Sequence, residues 1–134
     1  MPQPAITAIS PFFIVSNVTR TIAFYREKLG FECTYRQPKA DAFFAMLRRG
    51  GAQLFVKSEQ GITPLPNSSR HPHMRWDACL FAHAPDHLAA EFQAQGVPFS
   101  APLADTDDGL RGFEVTDPDG YVLFFGCPRA DAAI

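Results

Sequence analysis

Few residues in this chain have the type and spacing that chemistry requires. The four histidines are His71, His73, His83 and His87. His71-Pro72-His73 is an i, i+2 pair, which projects to one side only in a strand, and a proline-bearing loop is not a strand. An exposed loop is therefore expected there, not a metal pair. His83 and His87 fall around a helix start and are expected at the surface, and no HExxH motif occurs. The cysteines Cys33, Cys79 and Cys127 are odd in number and widely spaced, with no CxxC. That pattern suits a reducing cytoplasm and argues against a disulfide scaffold or a structural zinc site. Cys79 has no base that the sequence places beside it, so a buried structural thiol is expected. Asp77 is more telling. It stands in an apolar strand, where a lone carboxylate is costly unless paired. It either hydrogen-bonds a ligand or pairs with Arg48, Lys57 or Arg111. Asp105, Asp107 and Asp108 make an acidic turn, either solvated or positioned to attract a cation. Gly-x-Gly phosphate loops and Ser-His-Asp signatures are absent.

The chain that must position these groups has 134 residues, enough for one domain. Hydrophobic residues make up 46%, enough for a sizeable core. A net charge of −2 leaves no basic footprint for nucleic acid. No apolar run approaches the ~18 residues of a membrane span. Met1 to Ile9 has neither the charged nor the long apolar region of a signal peptide. The outlying feature is 13 phenylalanines against 3 tyrosines and 1 tryptophan. That exceeds what a core of this size needs and suggests that some of them line a cavity.

Ile9–Val15 reads as a buried strand. Asn17 offers a helix N-cap, and Val18, Ile22, Tyr25 and Leu29 form one helical face. Arg26 and Lys28 suit the last turn, and Gly30 the position beyond it. Strands follow at Phe31–Gln37, Ala42–Arg48 and Ala52–Lys57. Ser58 to Pro72 is rich in Gly, Pro, Ser and Asn, has no period, and reads as a linker or mobile loop. The order then repeats. Trp76–Ala82 is a strand. Pro85 opens a helix with Leu88 and Phe92 on its apolar face, and Gly96 closes it. Strands are expected near Val97–Ala101, Leu110–Val115 and Tyr121–Phe125, with a tight turn at Asp117-Pro118-Asp119-Gly120. Gly30 and Gly96, 66 residues apart, mark equivalent places. The sequence thus predicts an α+β fold of two βαβββ modules within one domain, residues 1–134. Module one spans about 9–57, the loop 58–75, and module two about 76–126. Each module is a curved mixed sheet with a helix on one face, and the other faces enclose a cleft.

Asn17 to Phe31 (NVTRTIAFYREKLGF) resembles the first helix of the vicinal oxygen chelate superfamily, the group of glyoxalase I, bleomycin resistance proteins and extradiol dioxygenases. Phe113 to Phe125 (FEVTDPDGYVLFF) resembles that family's last hairpin, and the repeated module order agrees. In the family's metalloenzymes a divalent metal sits in the cleft, held by His or Glu from the first and last strands of each module. Carried over position by position, those places are Ser10, Phe55, Asp77 (or Trp76, if the second helix cap is His83) and Phe124. A phenyl ring cannot coordinate a metal, and a carboxylate plus a hydroxyl is too few protein ligands. The resemblance therefore implies no metal, no cofactor and no catalytic residue here, and points away from an enzyme.

Strand alternation places Ser10, Phe12 and Ile14 on the cleft face, with Gln53, Phe55 and Lys57, then Asp77, Cys79 and Phe81, then Val122 and Phe124. Phe13, Val15, Leu54, Val56, Leu123 and Phe125 form the helix-side core. The cleft rings Phe12, Phe55, Phe81 and Phe124 either line a pocket or fill a collapsed core. The pocket reading suits an apolar or planar small molecule. Its expected contacts are Phe12, Phe55, Asp77, Cys79, Phe81, Arg111 and Phe124. The expectation is a cytoplasmic small-molecule-binding protein similar to bleomycin resistance proteins, a homodimer with clefts shaped partly across its interface. Bleomycin itself is disfavoured, because −2 is a weak field for a cationic drug. The alternative is a glyoxalase-type lyase or dioxygenase with a non-standard metal set around Asp77.

Overall fold

A computed structural model describes residues 3–129. The chain runs β1 (Phe12–Ile14), α1 (Val18–Leu29), β2 (Glu32–Gln37), β3 (Phe44–Arg49) and β4 (Ala52–Lys57). A short 3-10 turn follows at Asn67–Ser69. The order then repeats as β5 (Trp76–Phe81), α2 (Pro85–Ala94), β6 (Ala101–Asp105), β7 (Leu110–Thr116) and β8 (Val122–Pro128). Each module makes a four-stranded sheet, ordered β1-β4-β3-β2 and β5-β8-β7-β6. In each, the first strand lies parallel to the last and the other pairs are antiparallel. The fold is α+β, two βαβββ modules in succession.

Local chemistry sets α1. The Asn17 side chain accepts the Arg20 N–H at 2.9 Å, capping the first turn. Gly30 ends the helix at φ +72°, a conformation costly for any residue with a Cβ. Val18, Ile22, Tyr25 and Leu29 are buried, as the spacing predicts, and Thr21 joins them. In α2 the buried residues are Pro85, Ala89 and Phe92, with Leu88 only partly covered.

Alternation holds in module one. Phe13 and Val15 are buried, as are Leu54 and Val56, while Phe12 and Ile14 face outward. The ladder of β1 is shorter than the expected Ile9–Val15, because only Phe12–Ile14 pairs with β4. In module two the expected strand at Val97–Ala101 is displaced to Ala101–Asp105. Val97 is spent closing α2, donating its N–H to Phe92 O at 3.0 Å, and Pro98 has no N–H to give a ladder. The loop 58–75 is not free along its whole length. Asn67 donates its backbone N–H to Asp77 and its side-chain amide to Trp76 O.

The helix-side faces of both sheets share one buried cluster. Between the modules, Phe13 stacks on Tyr121 with ring centroids 4.3 Å apart. The Tyr121 hydroxyl donates to Ile14 O, and the Tyr25 hydroxyl donates to Asp117 at 2.8 Å. Arg49 donates to Leu29 O at 2.8 Å and holds both oxygens of Glu91, joining sheet one to α2. With the helix sides used in this way, the opposite face of each sheet turns outward.

Candidate functional site

The outward face of sheet one is aromatic. Phe12 pairs with Phe55 across the parallel ladder, and Phe44 pairs with Lys57 across the antiparallel one. The rings of Phe12, Phe44 and Phe55 contact one another at centroid distances of 5.8 to 6.4 Å, and Tyr35 adds an edge contact to Phe44. Phe12 remains 53% exposed, and Ile14 and Tyr35 are exposed too. An apolar surface of this kind on one sheet face is characteristic of a binding site. Phe12 and Phe55 thus come together as the alternation predicts. Phe44 is missing from the sequence reading, although its place two residues before Met46, opposite Lys57, was the signal for it.

The outward face of sheet two is built differently. Trp76 lies on Phe124, ring centroids 4.0 Å apart and nearly parallel. Phe124 is only 2% exposed. Its ring lies against Gly112 and Gly126, which are paired across β7 and β8; a Cβ at either glycine would collide with the ring. The sheet thus carries a two-ring platform on a glycine floor. Glu114 holds it in place, accepting the indole N–H of Trp76 at 2.8 Å and the Arg75 guanidinium at 3.0 Å. Its carboxylate is nearly buried, and those charge-assisted bonds offset the cost of burial.

Three candidate contacts need correction. Asp77 does not point along this face. A register shift between Trp76 and Ala78 breaks the alternation of β5. Its two oxygens accept the backbone N–H groups of Asn67 and Val122, each at 2.8 Å, so it is a structural tie rather than a partner of Arg48, Lys57 or Arg111. Trp76 takes the outward place instead. Arg111 lies on the helix side with Phe113 and pairs with Asp86 at 2.8 Å and Asp105 at 3.1 Å. It borders a separate hollow of about 550 Å³ with His83, His87 and Cys127. Cys79 is exposed, not buried, on the edge strand β5. Partial burial still pushes its thiol up from the ordinary value, which leaves it a poor nucleophile. Phe81 shares that face and is 74% exposed.

The donor chemistry does not fit a resident metal. Phe55 and Phe124 offer no lone pair, and both oxygens of Asp77 are engaged with backbone donors. Among the described residues no three His, Cys, Asp or Glu side chains gather as a metal group.

Two modules of strand, helix and three strands, each closing its first strand against its last, define the vicinal oxygen chelate fold. The chain belongs to the Glyoxalase/Bleomycin resistance protein/Dioxygenase superfamily, whose model matches residues 6–125. No curated protein matches the chain. Among solved structures it is similar to the bleomycin-binding protein of bleomycin-producing Streptomyces verticillus complexed with copper(II)-bleomycin. That match has 22% identity and a TM-score of 0.71, over 95% of this chain and 100% of that one. It is also similar to TioX from Micromonospora sp. ML1, with 20% identity and a TM-score of 0.69, over 90% and 98%. A third is lactoylglutathione lyase from Agrobacterium tumefaciens, with 20% identity and a TM-score of 0.65, over 92% and 95%. At these identities the likeness speaks for the fold.

Proposed function

We propose that this protein binds an apolar or aromatic small molecule in a cleft without a metal, as a homodimer. The observation that carries the reading is the ring cluster on the outward face of sheet one, an exposed Phe12 with half-buried Phe44 and Phe55, the last at a position that the resemblance aligns with a metal ligand of the family's metalloenzymes. Phenyl rings give up coordination chemistry and supply a surface that planar ligands can stack on. Among the described residues no ring contact links Phe12, Phe44 or Phe55 to Trp76, Phe81 or Phe124. A second copy completes the cleft by laying its Trp76 face opposite this aromatic face, and the two-fold axis repeats the site. Similarity to bleomycin-binding protein supports a binding role. No described helix is long and apolar enough to cross a membrane, and the free thiols Cys33, Cys79 and Cys127 are consistent with a reducing cytoplasm.

The test pairs light scattering with thermal shift on the purified chain, using a panel of planar aromatic compounds. A dimeric mass, with several compounds raising Tm, is the expected result, because binding the native state must stabilise it. Phe55→Ala then abolishes the shift while the protein stays folded. A monomer at micromolar concentration that no compound stabilises would sink the proposal.

A further inference from the structure

Lys57 gives this face a charge that nothing among the described residues balances. It ends β4, paired with Ile14 on one side and Phe44 on the other, and shares the parity of Phe55. Its side chain therefore leaves the same face as the rings and is half-buried. Among the described residues it has neither a hydrogen-bond acceptor for its ammonium nor an ion-pair partner. The other cation of the face, Arg48, is already paired with Glu32 at 2.8 Å. The face also carries the amides of Gln53, on β4, and of Gln37, which already accepts the Tyr35 hydroxyl.

We propose that the ligand is an aryl carboxylate, its ring on Phe12, Phe44 and Phe55 and its anion read by Lys57. This rests on the ligand-binding reading above and narrows it. The argument is one of desolvation. A molecule laid across the rings removes water from an ammonium that is now solvated. That is costly unless the molecule itself brings the missing counter-charge. A carboxylate restores the balance. A neutral amide restores part of it, and a cation adds repulsion. Residues two apart on one strand face lie ~6.8 Å from each other. The Phe55-to-Lys57 spacing therefore suits a rigid ring with its charge at one end. Selectivity comes from the one unpaired charge, while the rings supply unselective affinity.

Three probes of one shape test this by calorimetry on the purified protein: 2-naphthoate, 2-naphthamide and 2-naphthylmethylammonium. The expected order is naphthoate at least tenfold tighter than naphthamide, with the ammonium weakest. Raising salt should narrow the gap. Lys57→Met brings naphthoate down to the affinity of naphthamide and leaves naphthamide within twofold, whereas Lys57→Arg keeps the preference for the acid. Equal binding of acid and amide by the native protein, or an unchanged preference in Lys57→Met, would overturn the role of Lys57 and leave the aromatic cleft standing. Failure of all three probes to bind would overturn the ligand-binding reading itself.

Discussion

Asp117 stands at the seam between the modules, and substituting it tests how that seam is held. Its Oδ1 accepts the backbone N–H of Asp119 at 2.9 Å and that of Tyr121 at 3.0 Å, while Oδ2 accepts the Tyr25 hydroxyl at 2.8 Å. Despite three donors, burial pushes its carboxyl up from an ordinary 3.8 to about 6, helped by the neighbouring Asp119 charge. Because the folded pKa lies above the unfolded one, the folded chain holds an extra proton between those values. Stability is therefore highest at the acid end of that window and falls as pH rises through it. At ~1.4 kcal/mol per pH unit, the gap between 3.8 and about 6 is about 3 kcal/mol of strain present at pH 7.5. Asp117→Asn removes the charge and keeps Oδ1 for both N–H groups. It loses the acceptor for the Tyr25 hydroxyl, which costs about 1 kcal/mol. The expected net gain at pH 7.5 is about 2 kcal/mol, shrinking to a small loss near pH 4. Urea unfolding of both proteins at several pH values between 4 and 8 reads the difference, in which titrating groups not coupled to Asp117 cancel. A difference that does not change with pH, or Asp117→Asn less stable at pH 7.5, would refute the account of Asp117 as a carboxyl strained by burial.

The two phenylalanines at family metal positions should behave oppositely. Phe124→Ala removes a fully buried ring and should cost ~3–5 kcal/mol in denaturant unfolding, whereas Phe55→Ala should cost under about 1.5 kcal/mol and show its effect in ligand binding instead. Gly112→Ala places a methyl group against the Phe124 ring and the Phe125 carbonyl, so a loss of ~1–3 kcal/mol is expected, with a change in the fluorescence of Trp76, the single tryptophan, as its platform shifts.

What the sequence revealed was what its near neighbours decide. The helix over Val18–Leu29 is written in Asn17, the i, i+4, i+7 spacing and Gly30, all within one short stretch. Phe13 and Val15 turn in and Phe12 and Ile14 turn out because alternation in β1 has no interruption. The same rule fails for Asp77, because the register shift at Trp76 depends on how β5 meets β8, more than 40 residues away. Arg111 was only half legible. Sharing a parity with Phe113 puts it on the helix side, but its partners Asp86 and Asp105 come from α2 and β6. The platform of Trp76 on Phe124 had a legible sign in the two strand glycines, Gly112 and Gly126, since a glycine inside a strand marks a close approach. Lys57 was placed on the right face by alternation. Its lack of a partner becomes visible only once Arg48 is seen with Glu32.

The parallel pairing of each module's first strand with its last has a consequence for how the chain matures on the ribosome. Phe12 must wait for Phe55, and Cys79 for Phe124, so neither sheet closes until its fourth strand has been made. Such long-range pairing is slow compared with helix formation. Module one can close while residues 58–75 are emerging. It then displays Phe12, Phe44 and Phe55 to solvent before module two has been made. Early exposure of that surface makes the nascent first module the stage most prone to mispairing with other chains.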